Sequence, residues 1–119
     1  MMLKETSESF VQVLLQKPVL QPLYKNRHFT LQLNDTKDTV WISFKDGDCS
    51  LLNERPNQID VYISGEEEQI KALINGKERL MTLEKEGRLR VDGPGRHLLA
   101  LESLFLLTKG DSRPLYDQT

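Results

Sequence analysis

A catalytic thiol needs a base beside it, a metal needs several converging donors, and a phosphate needs a cradle of backbone N–H groups. The chain carries some of the raw material for each. Cys49 is the single thiol, and His28 and His97 are the two imidazoles. A thiol becomes a nucleophile when a neighbouring base or positive field yields the thiolate. No motif places either histidine beside Cys49, which alternates with Leu51 and so reads as a small inward-facing apolar residue. Glu66-Glu67-Glu68 suggests a cation site. Its place at a helix start already accounts for it, because acidic side chains favour the positive end of the helix dipole. Gly93-Pro94-Gly95 lacks the glycine spacing and the Lys-Ser/Thr pair of a phosphate-binding loop. These residues predict no catalytic centre, no metal and no cofactor, and the chain reads as a non-enzyme.

The feature that asks for an explanation is apolar. Eight of the ten residues from Leu98 to Leu107 are hydrophobic. At helical spacing Leu98, Leu101 and Phe105 point one way, Ala100, Leu104 and Leu107 another, and Leu99 and Leu106 a third. A helix that is apolar all round must be covered on more than one side. It is too short to cross a bilayer, which takes about 20 apolar residues. Other helices, a partner subunit or an apolar ligand must therefore supply the cover. Glu102 interrupts the ring. A carboxylate in such surroundings needs a partner: a salt bridge with Arg88, Arg90 or Arg96, or a role as polar handle for a lipid head group or a water. His97 opens this helix, where the dipole disfavours its charged form; both histidines read as structural or surface residues.

The elements that position these residues follow from period and punctuation. A first helix starts after Thr6 or Ser7, either of which can cap it, and Pro18 stops it. A short turn runs from Pro18 towards Tyr24. Phe29, Leu31 and Leu33 alternate with polar residues, as do Val40, Ile42 and Phe44, then Cys49 and Leu51, then Ile59, Val61 and Ile63, and finally Leu89 and Val91. Asp46-Gly47 suits a tight hairpin. Period-two alternation means that each strand buries one face. Ser64 and Glu67 have capping-box spacing, so Ser64 is expected to open a helix that carries Ile70, Leu73 and Ile74 and ends at Asn75-Gly76. Residues 78–86 suit a short helix or a strand, and helix is preferred. Trp41 and Tyr62 fall on the polar side of their strands. They are expected to form a cross-strand aromatic pair if those strands are neighbours, or else a partner-binding patch. The resulting fold class is α+β: two layers, a five-stranded sheet covered on one face by helices.

The totals set bounds. The chain has 119 residues and a formal charge of -2, from 16 basic and 18 acidic side chains. That length suits one domain, expected at residues 1–109 with a polar tail at 110–119. No basic stripe marks a nucleic-acid surface. One cysteine excludes a disulfide framework and fits the cytoplasm. The N-terminal residues lack an apolar run of signal-peptide length, and no integral membrane segment is expected.

The succession of elements resembles the sterol carrier protein type two family, which includes a short bacterial form. The resemblance rests on Val40-Trp41-Ile42-Ser43-Phe44 followed by Asp46-Gly47-Asp48-Cys49, and on Ile59-Asp60-Val61-Tyr62-Ile63-Ser64 leading to Leu73-Ile74-Asn75-Gly76. Gly87-Arg88-Leu89-Arg90-Val91-Asp92-Gly93 comes next, then Leu101-Glu102-Ser103-Leu104-Phe105. It covers residues 8–108. It implies a sheet with helices on one face, an apolar tunnel between the layers, and sterols, fatty acyl chains or related lipids as ligands. The last helix would lie against that tunnel. The terminal Tyr116-Asp117-Gln118-Thr119 carries no peroxisomal address, so transfer between peroxisomal membranes is not implied. Phe44, Leu51, Val61, Ile63, Leu73, Leu101, Leu104 and Phe105 are the expected lining of an apolar site, with Glu102 as its polar handle. The expected partner is an apolar small molecule, a fatty acid or other lipid, met during transient membrane contact. The alternative is an interaction module with a closed core and no ligand, which uses its last helix to form a homodimer or to dock on a larger protein.

Overall fold

The computed structural model describes residues 3–108; the expected tail at 110–119 lies outside them. Helix α1 (Leu3–Leu15) is followed by a 3-10 helix (Pro18–Leu23) and three strands, β1 (Phe29–Asn34), β2 (Thr39–Lys45) and β3 (Asp48–Leu52). Then come β4 (Val61–Gly65), α2 (Glu67–Ile74), α3 (Leu80–Lys85), β5 (Leu89–Asp92) and α4 (Gly95–Thr108).

The five strands form one sheet in the order β3-β2-β1-β4-β5. β1 and β4 run parallel, and every other neighbouring pair is antiparallel. The parallel pair exists because the chain leaves β3 at one edge and crosses to the far side of β1. Asp60 secures that landing: its backbone N–H donates to the Thr30 carbonyl at 2.9 Å, and its Oδ2 accepts from the Thr30 N–H at 2.9 Å. Asp46 and Gly47 join β2 to β3, both at positive φ (56° and 77°). This is the two-residue turn whose twist matches the flanking strands. On one face of the sheet Phe29, Leu31, Leu33, Val40, Ile42, Phe44, Cys49, Val61 and Ile63 are buried, and the helices cover them. The architecture is the expected α+β two-layer sheet.

Three local expectations are corrected. α1 begins at Leu3, a turn before the expected cap, because Leu3 is itself buried and extends the stripe of Ser7, Phe10, Val11 and Leu14. Ile59 lies before β4. Ser64 stays in the sheet, paired with Asn34 of β1 and Arg90 of β5. Glu66 takes the cap position of α2 and makes no side-chain capping bond. Two strands compete for the Ser64 backbone, and their pairing prevails over the local capping box. Residues 80–85 are helical, as preferred from the sequence.

Candidate functional site

Alternation aims the candidate strand residues at the helices. Phe44 lies opposite Phe29 and Cys49, Leu51 opposite Ile42, Val61 opposite Leu31, and Ile63 between Leu33 and Val91. From the helical layer α2 contributes Leu73, and α4 contributes Leu101, Leu104 and Phe105. Phe44, Val61, Ile63, Leu73, Leu101, Leu104 and Phe105 belong to one buried cluster, each no more than 1% exposed. Leu51 is half-buried and packs at the margin of that cluster. Phe10 of α1 meets Phe105 ring to ring at 4.8 Å. Sequence reasoning omitted Leu14, Leu80 and Leu83 from the candidates; they are fully buried in the same layer. Their helical spacing was the signal. The arrangement excludes water and offers dispersion contacts on every side. Among the described residues it brings no acid–base pair together in that layer.

Of the three apolar directions of helix α4, only that of Leu98, Leu101 and Phe105 is buried throughout. Leu98, Ala100, Leu101, Leu104 and Phe105 are buried, whereas Leu99 is 59% and Leu107 49% exposed. α1, the 3-10 helix, α2 and α3 all pack against it.

Glu102 is buried, and its partners differ from the expected arginines. Its Oε2 accepts a hydrogen bond from the Met81 N–H at 3.0 Å, in the first turn of α3. Its Oε1 lies 3.9 Å from Arg79. It thus ties α3 to α4 with both oxygens. Arg88, one expected partner, is engaged elsewhere: it reaches Glu86 at 2.7 Å, Glu78 at 3.3 Å and Gln69 at 2.9 Å.

Of the thiol and the two imidazoles, Cys49 and His97 are buried and His28 is exposed. Cys49 is buried, and burial, with Asp48 beside it, pushes its thiol up to about 12. That is the reverse of activation. His97 stacks on Phe29 at 4.3 Å. Burial lowers its pKa, as do the nearby Arg96 and Arg27, against an opposing pull from Asp60. Among the described residues no group of three or more His, Cys, Asp or Glu is placed to hold a metal ion, and no helix is long and apolar enough to cross a membrane. Trp41 and Tyr62 do not pair. β1 lies between their strands, and its Gln32 is the register partner of both. The Gln32 side chain accepts from Trp41 Nε1 at 2.9 Å and from Arg55 at 3.1 Å. A groove of about 1100 Å³ crosses the end of the sheet beside α2, lined by residues that include Asn34, Ser64, Gln69, Arg88 and Arg90. None of the eight apolar candidates lines it.

A five-stranded sheet in this strand order, with helices packed on one face over a single buried apolar cluster, sets the fold class. The SCP-2 sterol transfer family model matches residues 9–106, and the chain belongs to that family. Solved structures share the fold. A protein described as "UbiJ-SCP2 Ubiquinone synthesis protein" is similar with a TM-score of 0.67 and 16% identity, over 87% of this chain and 85% of the other. Sterol Carrier Protein 2 from Yarrowia lipolytica, in its apo form, is similar with a TM-score of 0.60 and 19% identity, over 86% of this chain and 88% of the other. The inverting sec-alkylsulfatase Pisa1 from Pseudomonas sp. is similar with a TM-score of 0.60 and 18% identity. There the likeness covers 71% of this chain and 14% of the sulfatase, so the chain spans a small part of that enzyme's length. No curated protein matches the chain.

Proposed function

We propose that the protein is a small non-enzymatic carrier that holds an acyl chain, a sterol-like molecule or another elongated apolar ligand between sheet and helices. One observation carries the reading: strand and helix side chains from opposite layers meet in a single buried apolar cluster. Membership of a sterol transfer family and likeness to a sterol carrier protein support it. Phe44, Leu51, Val61, Ile63, Leu73, Leu101, Leu104 and Phe105 are the proposed lining. Seven of them are almost completely shielded, so a ligand reaches them only when the helical layer moves off the sheet. Affinity then comes from apolar burial, at roughly 25 cal/mol per Å² before the costs of ordering and association. The single, shielded Cys49 supports action in a reducing compartment, the cytoplasm.

The direct test is uptake of palmitate by Leu104→Glu and Phe105→Glu variants. Each is expected to lose uptake, because a carboxylate facing the interlayer must be desolvated beside the chain. Leu104→Ala, milder on folding, is expected to bind with altered affinity. A folded Leu104→Glu protein with unchanged uptake would remove this layer from the site.

A second reading has its own observation. Leu15 (47%), Val19 (80%), Leu99 (59%) and Leu107 (49%) are exposed, and the outward side of α4 is one component. Under this reading the protein dimerises or docks through that surface and carries no ligand. Sedimentation showing a concentration-dependent mass with no bound lipid would favour it.

A further inference from the structure

With six residues, α3 is too short to hold together as an isolated helix. Its place depends on what it touches. Leu80 and Leu83 are fully buried beneath it. It packs on α2, α4 and β5, and β5 is the last strand of the sheet. α3 therefore roofs an edge of the apolar interlayer. Val91 of β5 is the register partner of Ile63, one of the proposed lining residues. On the outside, the groove of about 1100 Å³ reaches the same junction, where Glu84, Gly87, Arg88, Leu89 and Val91 line it.

Polar contacts fasten both ends of this roof. At its start the Met81 N–H donates to Glu102 of α4 at 3.0 Å, and the cap residue Arg79 makes no capping bond of its own. One guanidinium then clasps both flanks. Arg88, just before β5, donates to Glu78 ahead of α3 at 3.3 Å and to Glu86 behind it at 2.7 Å. Its Nε donates to Gln69 of α2 at 2.9 Å. Arg88, Glu78 and Glu86 are all partly exposed, so these pairs exchange with water at little cost. Two glycines at positive φ bracket the segment, Gly76 at 70° and Gly87 at 73°. A Cβ at Gly87 would meet nothing within 4 Å, so the backbone there has room to turn.

We propose that α3 is the gate of the interlayer. Residues 77–86 swing on Gly76 and Gly87, carry Leu80 and Leu83 away from β5, and admit an acyl chain from the groove. The proposal rests on the carrier reading for what passes the gate, and on the hinges and polar fastenings for the gate itself. Arg88 and Glu102 are positioning residues that hold the gate shut. The gate closes in the same way over the empty and the filled interlayer. Weakening the clasp therefore speeds entry and exit alike and leaves affinity to the apolar lining.

The test is stopped-flow uptake and release of cis-parinarate, a fluorescent fatty acid, by the full chain and by Arg88→Gln, with circular dichroism to check the fold. The variant is expected to take up and release the probe about fivefold faster, with its dissociation constant unchanged within twofold. Asp60→Ala loosens the crossover into β4, away from α3, by removing the acceptor of the Thr30 N–H. It is expected to leave both rates as they are. Unchanged rates in Arg88→Gln, or an equal acceleration in Asp60→Ala, would overturn the proposal. If the wild-type protein takes up no probe, the carrier reading fails by itself, and amide hydrogen exchange decides whether α3 opens. The Leu83 and Glu86 N–H groups, bonded to the Arg79 and Thr82 carbonyls, should exchange faster than the amides of α1 and α4, and faster again in Arg88→Gln. That result would establish the opening segment without a lipid as its cargo. Protection equal to that of α1 and α4, unmoved by Arg88→Gln, would overturn it.

Discussion

His97 shows how one side chain couples burial to pH. Burial holds its folded pKa below the ordinary value of 6.5, and Arg96 and Arg27 push the same way. The unfolded chain therefore takes up a proton before the folded one does. The stability linked to His97 is complete above about pH 6.5 and is lost as pH falls through the lower, folded value. His97→Phe keeps a ring against Phe29 and removes the titration. Its melting temperature is expected to fall less than that of the wild type between about pH 7 and pH 5, measured by thermal melts at each pH. An equal fall would assign the acid sensitivity to other groups. Cys49 supports a second prediction at this scale. With its thiol pushed up to about 12 and its side chain buried, alkylation by iodoacetamide at neutral pH should be slow in the native protein and fast after denaturation. Glu102 supports a third. Glu102→Ala leaves the Met81 N–H without its acceptor and Arg79 without its carboxylate, and is expected to cost about 1–3 kcal/mol in chemical denaturation. Glu102→Gln keeps an acceptor oxygen and should cost less.

Among the elements, the strands were legible because they alternate strictly and bury one face each. The Asp46-Gly47 turn was legible because both central residues need positive φ. What the sequence left hidden depends on partners distant along the chain. Ser64 and Glu67 spell a capping box, but the boundary is decided by β1 and β5, which reach Ser64 across the sheet. Trp41 and Tyr62 alternate outward as read, yet they are separated by β1, because strand order is a property of the crossover rather than of either strand. Glu102 visibly required a partner. The partner came from α3, whose first turn approaches α4 only in the assembled helical layer. Gly93 joins β5 to α4 at φ 149°, and a Cβ there would lie 2.9 Å from the Asp60 carbonyl oxygen and 3.0 Å from Val61. Gly93→Ala is expected to destabilise the fold by about 1–3 kcal/mol, because the backbone conformation and the close approach both resist a side chain. Denaturant midpoints would measure the loss, and a neutral result would mean that the junction can relax.

At the scale of the whole molecule, the apolar candidates proved to be a single assembly. The same side chains that hold helices to sheet are those proposed to hold a ligand, so binding and folding share one interface. Residue types alone cannot separate those roles, since packing and binding both call for Leu, Ile, Val and Phe at the same inward positions. The exposed Leu99 and Leu107 mark where the apolar ring of α4 exceeds what the fold buries. The most direct measurement is the mass of the protein purified from cells, under native and then denaturing conditions, followed by extraction of whatever is released and by incubation with fatty acids and sterols. The carrier account predicts an added mass that disappears on denaturation and is recovered as a lipid. A bare protein that stays bare after incubation with both ligand classes would contradict it.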